Sequence, residues 1–309
     1  MKKITIILGL VALFAAVLFS QSINFKDNVN VLTMKGEDNI QYEMKSSFPV
    51  LNDTAKVYVT KTPKVSNKYV TEIGNKFGII NSSSEDTDLG TFSLFNGEKH
   101  LIVYKNSGAV WYSMPAKMEP VVTVQPNLPS TDVATKIATD FLVSTDSLPK
   151  DAEFSDVVAD QQITGEKETG KITQIYNVTL QVRYRREING MPVVGPGNKL
   201  KVFIGDNNEI VGLFKVWRDF EPYTEVKIKT PEQAYSDLLA SKDVVPMRIE
   251  GDKVIIKDIT FGYWMEAADK DQEYVLPVYI FKGDVINSNT GYMGQYEGYV
   301  YATEDGRLP

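Results

Sequence analysis

The arrangement of apolar and polar residues predicts one long, half-buried strand near the middle of the chain. Over residues 176–185, apolar or aromatic side chains alternate strictly with polar ones. Strict alternation places the apolar set on one face of a sheet and the polar set on the other. The pattern therefore predicts an antiparallel strand whose polar face carries Arg183 and Arg185.

Three further segments have helical spacing of apolar residues, and each precedes a group of shorter strand-like runs. The first opens at Ser66, the second at residues 130–132 and the third at Thr230. The third has a complete start signal, because Pro231 fits the first helical position and Gln233 completes a capping box. Helices followed by groups of strands, without strand–helix–strand alternation, predict an α+β fold of repeated modules, each a helix plus an antiparallel β-meander.

Proline-rich and polar stretches divide this pattern into modules. We predict a signal peptide or membrane anchor at residues 1–22, an N-terminal α+β module at 23–125, a second module at 126–222 and a C-terminal α+β module at 223–309. The helices are unequally spaced along the chain, which argues against a solenoid of fixed period.

The first residues predict export from the cytoplasm. Lys2 and Lys3 precede an apolar run from Ile4 to Phe19, and small polar residues follow it. This order is typical of a secretory signal, and a run of this length can also stay in the bilayer as an anchor. Both alternatives predict an extracytoplasmic protein, either secreted or membrane-anchored through residues 4–20.

Composition narrows the chemistry that the chain can perform. It has no cysteine and a single histidine, His100, which excludes disulfides, thiolate nucleophiles and multi-histidine metal sites. We therefore expect no metal site and no cofactor. A formal net charge of −7 and an isoelectric point near 5.0 argue against a nucleic-acid partner, because such partners are bound by basic patches.

The hairpin over residues 182–195 resembles a known signature. A strand is followed by Asn189-Gly190, then by Pro192-Val193 and a glycine, as in PepSY and FTP propeptide-type domains. The resemblance covers residues 132–217 well and the module from Thr230 more loosely. With its N-terminal apolar segment, the chain also resembles YycI/YycH-type accessory proteins, which restrain a membrane sensor kinase.

This resemblance implies a PepSY-like second module and a regulatory role, and it supplies no catalytic residues. In thermolysin-type proteases such modules precede a catalytic domain with an HExxH motif, which a chain with one histidine cannot contain. The resemblance therefore implies a free-standing binding, inhibitory or regulatory protein.

Three features suggest chemistry but have plainer interpretations. His100 has no neighbouring nucleophile or acid in a recognisable motif, so we interpret it as a strand residue that is solvated or hydrogen-bonded. The acidic segment 266–273 spaces its oxygens as calcium loops do, but it lacks the central glycine and the final glutamate. We interpret it as a solvated hairpin tip. The segment 195–198 lacks the lysine–hydroxyl pair of a phosphate loop and is interpreted as a bend.

The candidate binding residues are strand aromatics, strand arginines and one turn. An exposed ring on a sheet often marks a recognition surface, and adjacent rings in a strand should include one that faces outwards. Arginines on a polar sheet face can hold a carboxylate or phosphate. Core packing for the rings and a solvated face for the arginines are the alternatives. The candidates are Arg183, Arg185, Asn189, Gly190, Trp217, Tyr263 and Trp264.

Together these observations predict a non-catalytic extracytoplasmic protein that binds or regulates another membrane or exported protein. The resemblance implies restraint of a sensor kinase or a protease. Two alternatives from other classes remain open: a hydrolase of cell-envelope polymer, and a structural cell-surface protein.

Overall fold

A computed structural model describes residues 3–8, 40–80, 82–166, 169, 171–245, 249 and 251–303. The described residues form 18 β-strands and four α-helices. The helices are α1 (Asn67–Lys76), α2 (Pro115–Met118), α3 (Thr131–Ser144) and α4 (Pro231–Leu239). The strands are β1 (Lys3–Leu8), β2 (Gln41–Met44), β3 (Thr54–Lys61), β4 (Glu85–Thr87), β5 (Thr91–Asn96), β6 (Lys99–Tyr104), β7 (Val110–Ser113), β8 (Glu153–Glu166), β9 (Ile172–Arg185), β10 (Glu187–Ile188), β11 (Met191–Val194), β12 (Asn198–Ile204), β13 (Ile210–Trp217), β14 (Asp219–Lys227), β15 (Lys253–Trp264), β16 (Tyr274–Val275), β17 (Pro277–Asn287) and β18 (Tyr292–Tyr301).

The largest layer is a nine-stranded antiparallel sheet in the order β1-β8-β9-β12-β13-β7-β6-β5-β4. Helices α1 and α3 cover one of its faces, because their apolar sides and the inward positions of the strands form one core. Val182 lies opposite Val202, which in turn lies opposite Leu213, and all three are fully buried. These three residues therefore mark the face of β9, β12 and β13 that points towards the helices.

A six-stranded sheet forms a second layer, in the order β10-β11-β15-β17-β18, with β2 also paired to β15. Helix α4 packs on it through Ala234 and Leu238. Both β2 and β11 pair with β15 in parallel, although they are distant from it in sequence. A three-stranded sheet, β14-β3-β16, completes the architecture.

The predicted fold of repeated helix-plus-meander modules is wrong. The protein is mostly β, and its strands combine into large sheets instead of following each helix as a separate unit. Strands β7 and β13 show the reason: they are about 100 residues apart, yet Leu213 pairs with Tyr112. Both strands bury one apolar face against the same helices, and local sequence patterns do not report such distant pairing.

Two predicted helix starts are confirmed in detail. Ser66 caps α1 by accepting a hydrogen bond from the Tyr69 backbone N–H at 3.3 Å. Thr230 caps α4, and its backbone N–H donates to Gln233 Oε1 at 2.8 Å, which completes the capping box. These starts were predictable because a cap depends on neighbouring residues alone.

The predicted export signal at 1–22 lies mostly outside the described residues. Its described part is β1, which pairs antiparallel with β8 from Lys3 opposite Glu166 to Leu8 opposite Gln161. No helix among the described residues is long and apolar enough to cross a membrane. Export therefore stays a prediction.

Candidate functional site

A cavity of about 900 Å³ opens between α1, the segment after α3 and the helix-covered face of the nine-stranded sheet. We call it the α1 cleft. Its walls come from one face of α1, from β7 and β13, and from residues 145–151. They include Tyr69, Ile73, Phe77, Lys215 and Trp217. Phe77 also stacks on Tyr112 with ring centres 5.0 Å apart, which fixes the helical wall against the sheet.

The alternation of β13 determines what lies at the bottom of the cleft. Leu213, Lys215 and Trp217 share one face of the strand, so all three point towards α1. Leu213 is fully buried, and Trp217 is 8% exposed. The residue between them, at a position that normally packs into a core, is a lysine.

Lys215 has no side-chain hydrogen bond or ion pair among the residues that the structure describes. Its neighbours across the sheet are Val110 on β7 and Leu200 on β12, both buried. Burial lowers the pKa of the Lys215 ammonium below its ordinary value, although Asp219 and Asp146 lie close enough to oppose that shift. The bottom of the cleft therefore presents a partly buried, unpaired cation.

Trp217 is held beside this cation by a group of charged residues. Its indole Nε1–H donates to Asp151 Oδ1 at 3.0 Å. Asp151 Oδ2 lies 2.7 Å from Arg186 Nε, and the Arg186 guanidinium stacks 4.5 Å from the Trp217 ring centre. Nη1 of Arg186 also donates to the backbone carbonyl of Arg218 at 2.7 Å. These contacts fix the ring in one orientation, so the cleft has a preorganised wall.

The other charges around the cleft balance one another. Four lysines and four acidic side chains line it: Lys61, Lys76, Lys150, Lys215, Glu72, Asp146, Asp151 and Asp219. Lys76 pairs with Asp146 at 3.1 Å, and Lys61 pairs with Glu221 outside the cleft. Of the four lysines, Lys61, Lys76 and Lys150 are exposed, and Lys215 is partly buried. Burial, with Asp219 nearby, raises the pKa of the Tyr69 hydroxyl, which keeps that group neutral.

The two predicted arginine sites lie outside the α1 cleft, and carboxylates occupy both. Arg183 makes a two-pronged contact with Asp156, with Nε donating to Oδ1 at 2.6 Å, and this contact lowers the pKa of Asp156. Arg185 lies 3.4 Å from Glu153 and 3.7 Å from Glu187. Arg183 is in register with Lys201 and Phe214, on the face opposite Lys215.

The predicted turn and Tyr263 meet at a second, smaller cavity of about 260 Å³. Asn189 and Gly190 both adopt positive φ, 52° and 78°, as the Asn-Gly hairpin signal predicts. Asn189 Nδ2 donates to the Tyr58 hydroxyl at 3.3 Å. The Tyr58 ring packs edge-on against Tyr263, with ring centres 5.4 Å apart.

The expectation that one ring of the Tyr263–Trp264 pair faces solvent is wrong. Tyr263 is 1% and Trp264 is 6% exposed. The indole N–H of Trp264 donates to Glu266 at 2.8 Å, and its ring packs on Tyr299 with centres 4.9 Å apart. Both faces of this end of β15 are covered, one by the cluster with Tyr58 and the other by the cluster with Tyr299, so the rings are core residues.

The acidic segment 266–273 is anchored from inside the protein. Arg218 is 1% exposed and donates to the backbone carbonyls of Glu266, Ala267 and Lys270 at 2.6 to 2.8 Å. These carbonyls therefore accept hydrogen bonds from a guanidinium, which organises the loop from inside the protein. Ser107 Oγ also donates to the Ala268 carbonyl at 2.7 Å, so the segment is docked on the nine-stranded sheet and is not a free hairpin tip.

His100 lies away from the α1 cleft, on β6, with its ring centre 4.9 Å from that of Phe95. Burial lowers its pKa. Among the described residues, no group of three or more His, Cys, Asp or Glu side chains is arranged to hold a metal ion.

The predicted residues therefore lie in separate places, and only Trp217 reaches the α1 cleft. Sequence reasoning missed Lys215, Asp151 and Arg186. For Lys215 a signal was present, because Leu213 and Trp217 mark one apolar face of a strand and a lysine stands between them on that face. The sequence gives no such signal for Asp151 and Arg186, because these residues are distant along the chain and pair only in the folded protein.

Comparison with known proteins identifies no family. No protein-family model and no curated protein matches the chain. Among solved structures, it is similar to an uncharacterized protein from Eubacterium rectale ATCC 33656, with 13% identity over 87% of this chain and 90% of the other, at a TM-score of 0.47. A similarity at this level supports no statement about function.

Proposed function

We propose that this chain is a non-catalytic, extracytoplasmic binding protein that holds a segment of a partner protein in the α1 cleft. The partner class is a membrane or exported protein, such as a sensor kinase or a protease under restraint. One observation carries the proposal: the cleft combines a preorganised aromatic wall with an unpaired cation, Lys215, at its base.

The charges of the cleft favour binding over acid–base catalysis. Asp146 and Asp151 are both held in ion pairs, with Lys76 and Arg186. Both carboxylates are therefore engaged by cations of the protein itself, whereas a general acid or base must be free to reach a proton of the substrate. His100, the other natural candidate for proton transfer, lies outside the cleft.

The N-terminal sequence supports the extracytoplasmic part of the proposal. A basic start before the apolar run at 4–20 would leave the amino terminus in the cytoplasm and the folded part outside. The chain is then either secreted after cleavage or anchored by this run, and in both states β1 would leave the nine-stranded sheet and β8 would become its edge strand. The PepSY-like hairpin at 182–195 agrees with a regulatory role, because such modules act by binding.

Site-specific cross-linking in the full-length chain tests the proposal. A photoreactive benzophenone side chain replaces Thr62, an exposed residue at the cleft, and a matched control replaces Asn289, an exposed turn residue that does not line the cleft. We expect a single membrane or exported protein to be cross-linked from position 62 and not from position 289. Identical products from both positions, or none from position 62, would overturn it. Release of fragments from cell-envelope polymer by the purified chain would favour the hydrolase instead.

A further inference from the structure

The position of Lys215 is unusual for a structural lysine. It occupies an inward-facing strand position between Val110 and Leu200, where an apolar side chain would pack without desolvating a charge. Exposed lysines such as Lys61 and Lys76 have carboxylate partners, whereas Lys215 has none among the described residues. A partly buried charge without a partner costs stability, so an external counter-charge would offset that cost.

We infer that Lys215 binds a carboxylate of the partner segment, and that an apolar side chain next to this carboxylate packs against the α1 wall. The inference rests on the proposed function and names the chemistry that the α1 cleft recognises. The ammonium supplies charge-assisted hydrogen bonds to the carboxylate oxygens. Ile73 and Phe77 from α1 and Trp217 from β13 supply the apolar surface beside it.

The charge balance of the cleft favours a carboxylate over a phosphate group. Its four lysines are matched by four acidic side chains, so the cleft as a whole offers no excess positive charge. A phosphate dianion would be repelled by these carboxylates, and only one unpaired cation, Lys215 at the base, would attract it. A carboxylate carries one negative charge, which Lys215 can neutralise alone.

The size of the cleft favours a ligand larger than a single acidic side chain, such as a peptide segment. Its volume of about 900 Å³ exceeds what one acidic side chain fills and is within the range of sites that enclose larger ligands. Lys215 is partly buried and the other three lysines are exposed, so a carboxylate bound to Lys215 would lie at the base of the cleft and the rest of the segment nearer solvent.

The test uses two pairs of probes that differ in charge. N-acetyl-phenylalanine carries a terminal carboxylate, and N-acetyl-phenylalanine amide is its neutral counterpart. N-acetyl-Glu-Phe-amide carries the carboxylate on a side chain, and N-acetyl-Gln-Phe-amide is its neutral counterpart. Binding to the full-length chain is followed through the indole ¹H–¹⁵N signals of its three tryptophans, of which Trp217 alone lines the cleft.

We expect at least one acid probe to shift the Trp217 signal while its neutral counterpart does not. The pair that responds distinguishes a terminal from a side-chain carboxylate. Lys215→Gln should weaken binding roughly 10- to 100-fold, the change expected for one lost charge-assisted hydrogen bond. Lys201→Gln is the matched control, because Lys201 is also partly buried but lies on the opposite face of the sheet. It should leave the affinity unchanged.

Equal binding of the acid and neutral probes, or unchanged affinity in Lys215→Gln, would overturn the assignment. Tighter binding of phenyl phosphate than of N-acetyl-phenylalanine would also overturn it. The unfolding midpoint of Lys215→Gln should match or exceed that of the wild type, which shows that lost binding does not reflect lost folding.

Failure of this inference is distinguishable from failure of the proposed function. A partner cross-linked from position 62, together with no carboxylate binding, would refute the assignment to Lys215 and leave partner binding in place. Carboxylate binding that depends on Lys215, with no cross-linked partner, would support the assignment and refute the proposed protein partner.

Discussion

Replacement of Asp151 by asparagine removes the negative charge that neutralises Arg186 beside the cleft. The Arg186 side chain is 2% exposed, and Asp151 is its ion-pair partner at 2.7 Å. Asp151 also accepts the Trp217 indole N–H. Asparagine has only one acceptor oxygen, so one of these two donors would face an amide N–H₂.

The expected loss of stability follows from these contacts. Removing one partner of a buried ion pair costs about 3–5 kcal/mol, and an unpaired buried donor costs about 1–3 kcal/mol. Asp151 itself is 44% exposed, so water can reach the gap and reduces both costs. We expect Asp151→Asn to lower the free energy of unfolding by about 2–4 kcal/mol, measured by urea denaturation.

Asp146→Asn provides a matched control within the same cleft. Its carboxylate is 92% exposed and pairs with Lys76, and asparagine tolerates the positive φ of this position, 51°. The loss should stay below about 0.5 kcal/mol. Equal losses in both variants, or a loss below about 0.5 kcal/mol in Asp151→Asn, would refute the account of the Trp217–Asp151–Arg186 group.

Three further substitutions test other parts of the structure by urea denaturation. Lys215→Met should stabilise the protein at pH 7. Burial lowers the pKa of Lys215 in the folded state, so the unfolded chain binds more protons between that pKa and about 10.4. Wild-type stability should therefore rise with pH in this interval, and the difference in unfolding free energy between the variant and the wild type should narrow. A constant gap up to pH 10 would contradict this. Gly190→Ala should lower the free energy of unfolding by about 1 kcal/mol, because φ at this position is 78°, a backbone conformation that alanine disfavours. An added Cβ would meet no atom within 4 Å, so the cost comes from the backbone alone. An unchanged free energy of unfolding would contradict the turn geometry. Arg218→Lys should lower the free energy of unfolding by about 2–4 kcal/mol and speed hydrogen exchange across residues 266–272. The reason is that one ammonium cannot reach the three carbonyls that the guanidinium contacts. Unchanged exchange would contradict the anchoring of this segment by Arg218.

Local features of the fold could be predicted from the sequence, and distant pairing could not. The caps at Ser66 and Thr230 and the turn at Asn189-Gly190 depend on a few neighbouring residues, and the structure contains all three. The parallel pairing of Val193 with Tyr263 joins segments 70 residues apart, and nothing in either segment specifies the other. The sequence pattern therefore predicts separate modules, whereas in the structure the strands of these segments join in shared sheets.

The candidate site shows the same division. Trp217 was predicted as a recognition residue from its place in a strand, and it does reach the cleft. The polar face of its strand makes Arg183 a candidate, but the sequence does not show that Asp156 on the adjacent strand pairs with it. Lys215 is the more informative residue, because a charged side chain at an apolar strand position lowers stability and therefore indicates a functional role.

The most direct test of the central claim is a crystal structure of the full-length chain with whichever acid probe binds. The account predicts a carboxylate oxygen about 2.7–2.9 Å from Lys215 Nζ, with the phenyl ring against Ile73 and Phe77. It also predicts that Asp151 and Arg186 keep their contact when the probe is bound. A probe bound at Arg183, or in the smaller cavity beside Tyr263, would contradict the assignment of the α1 cleft as the binding site.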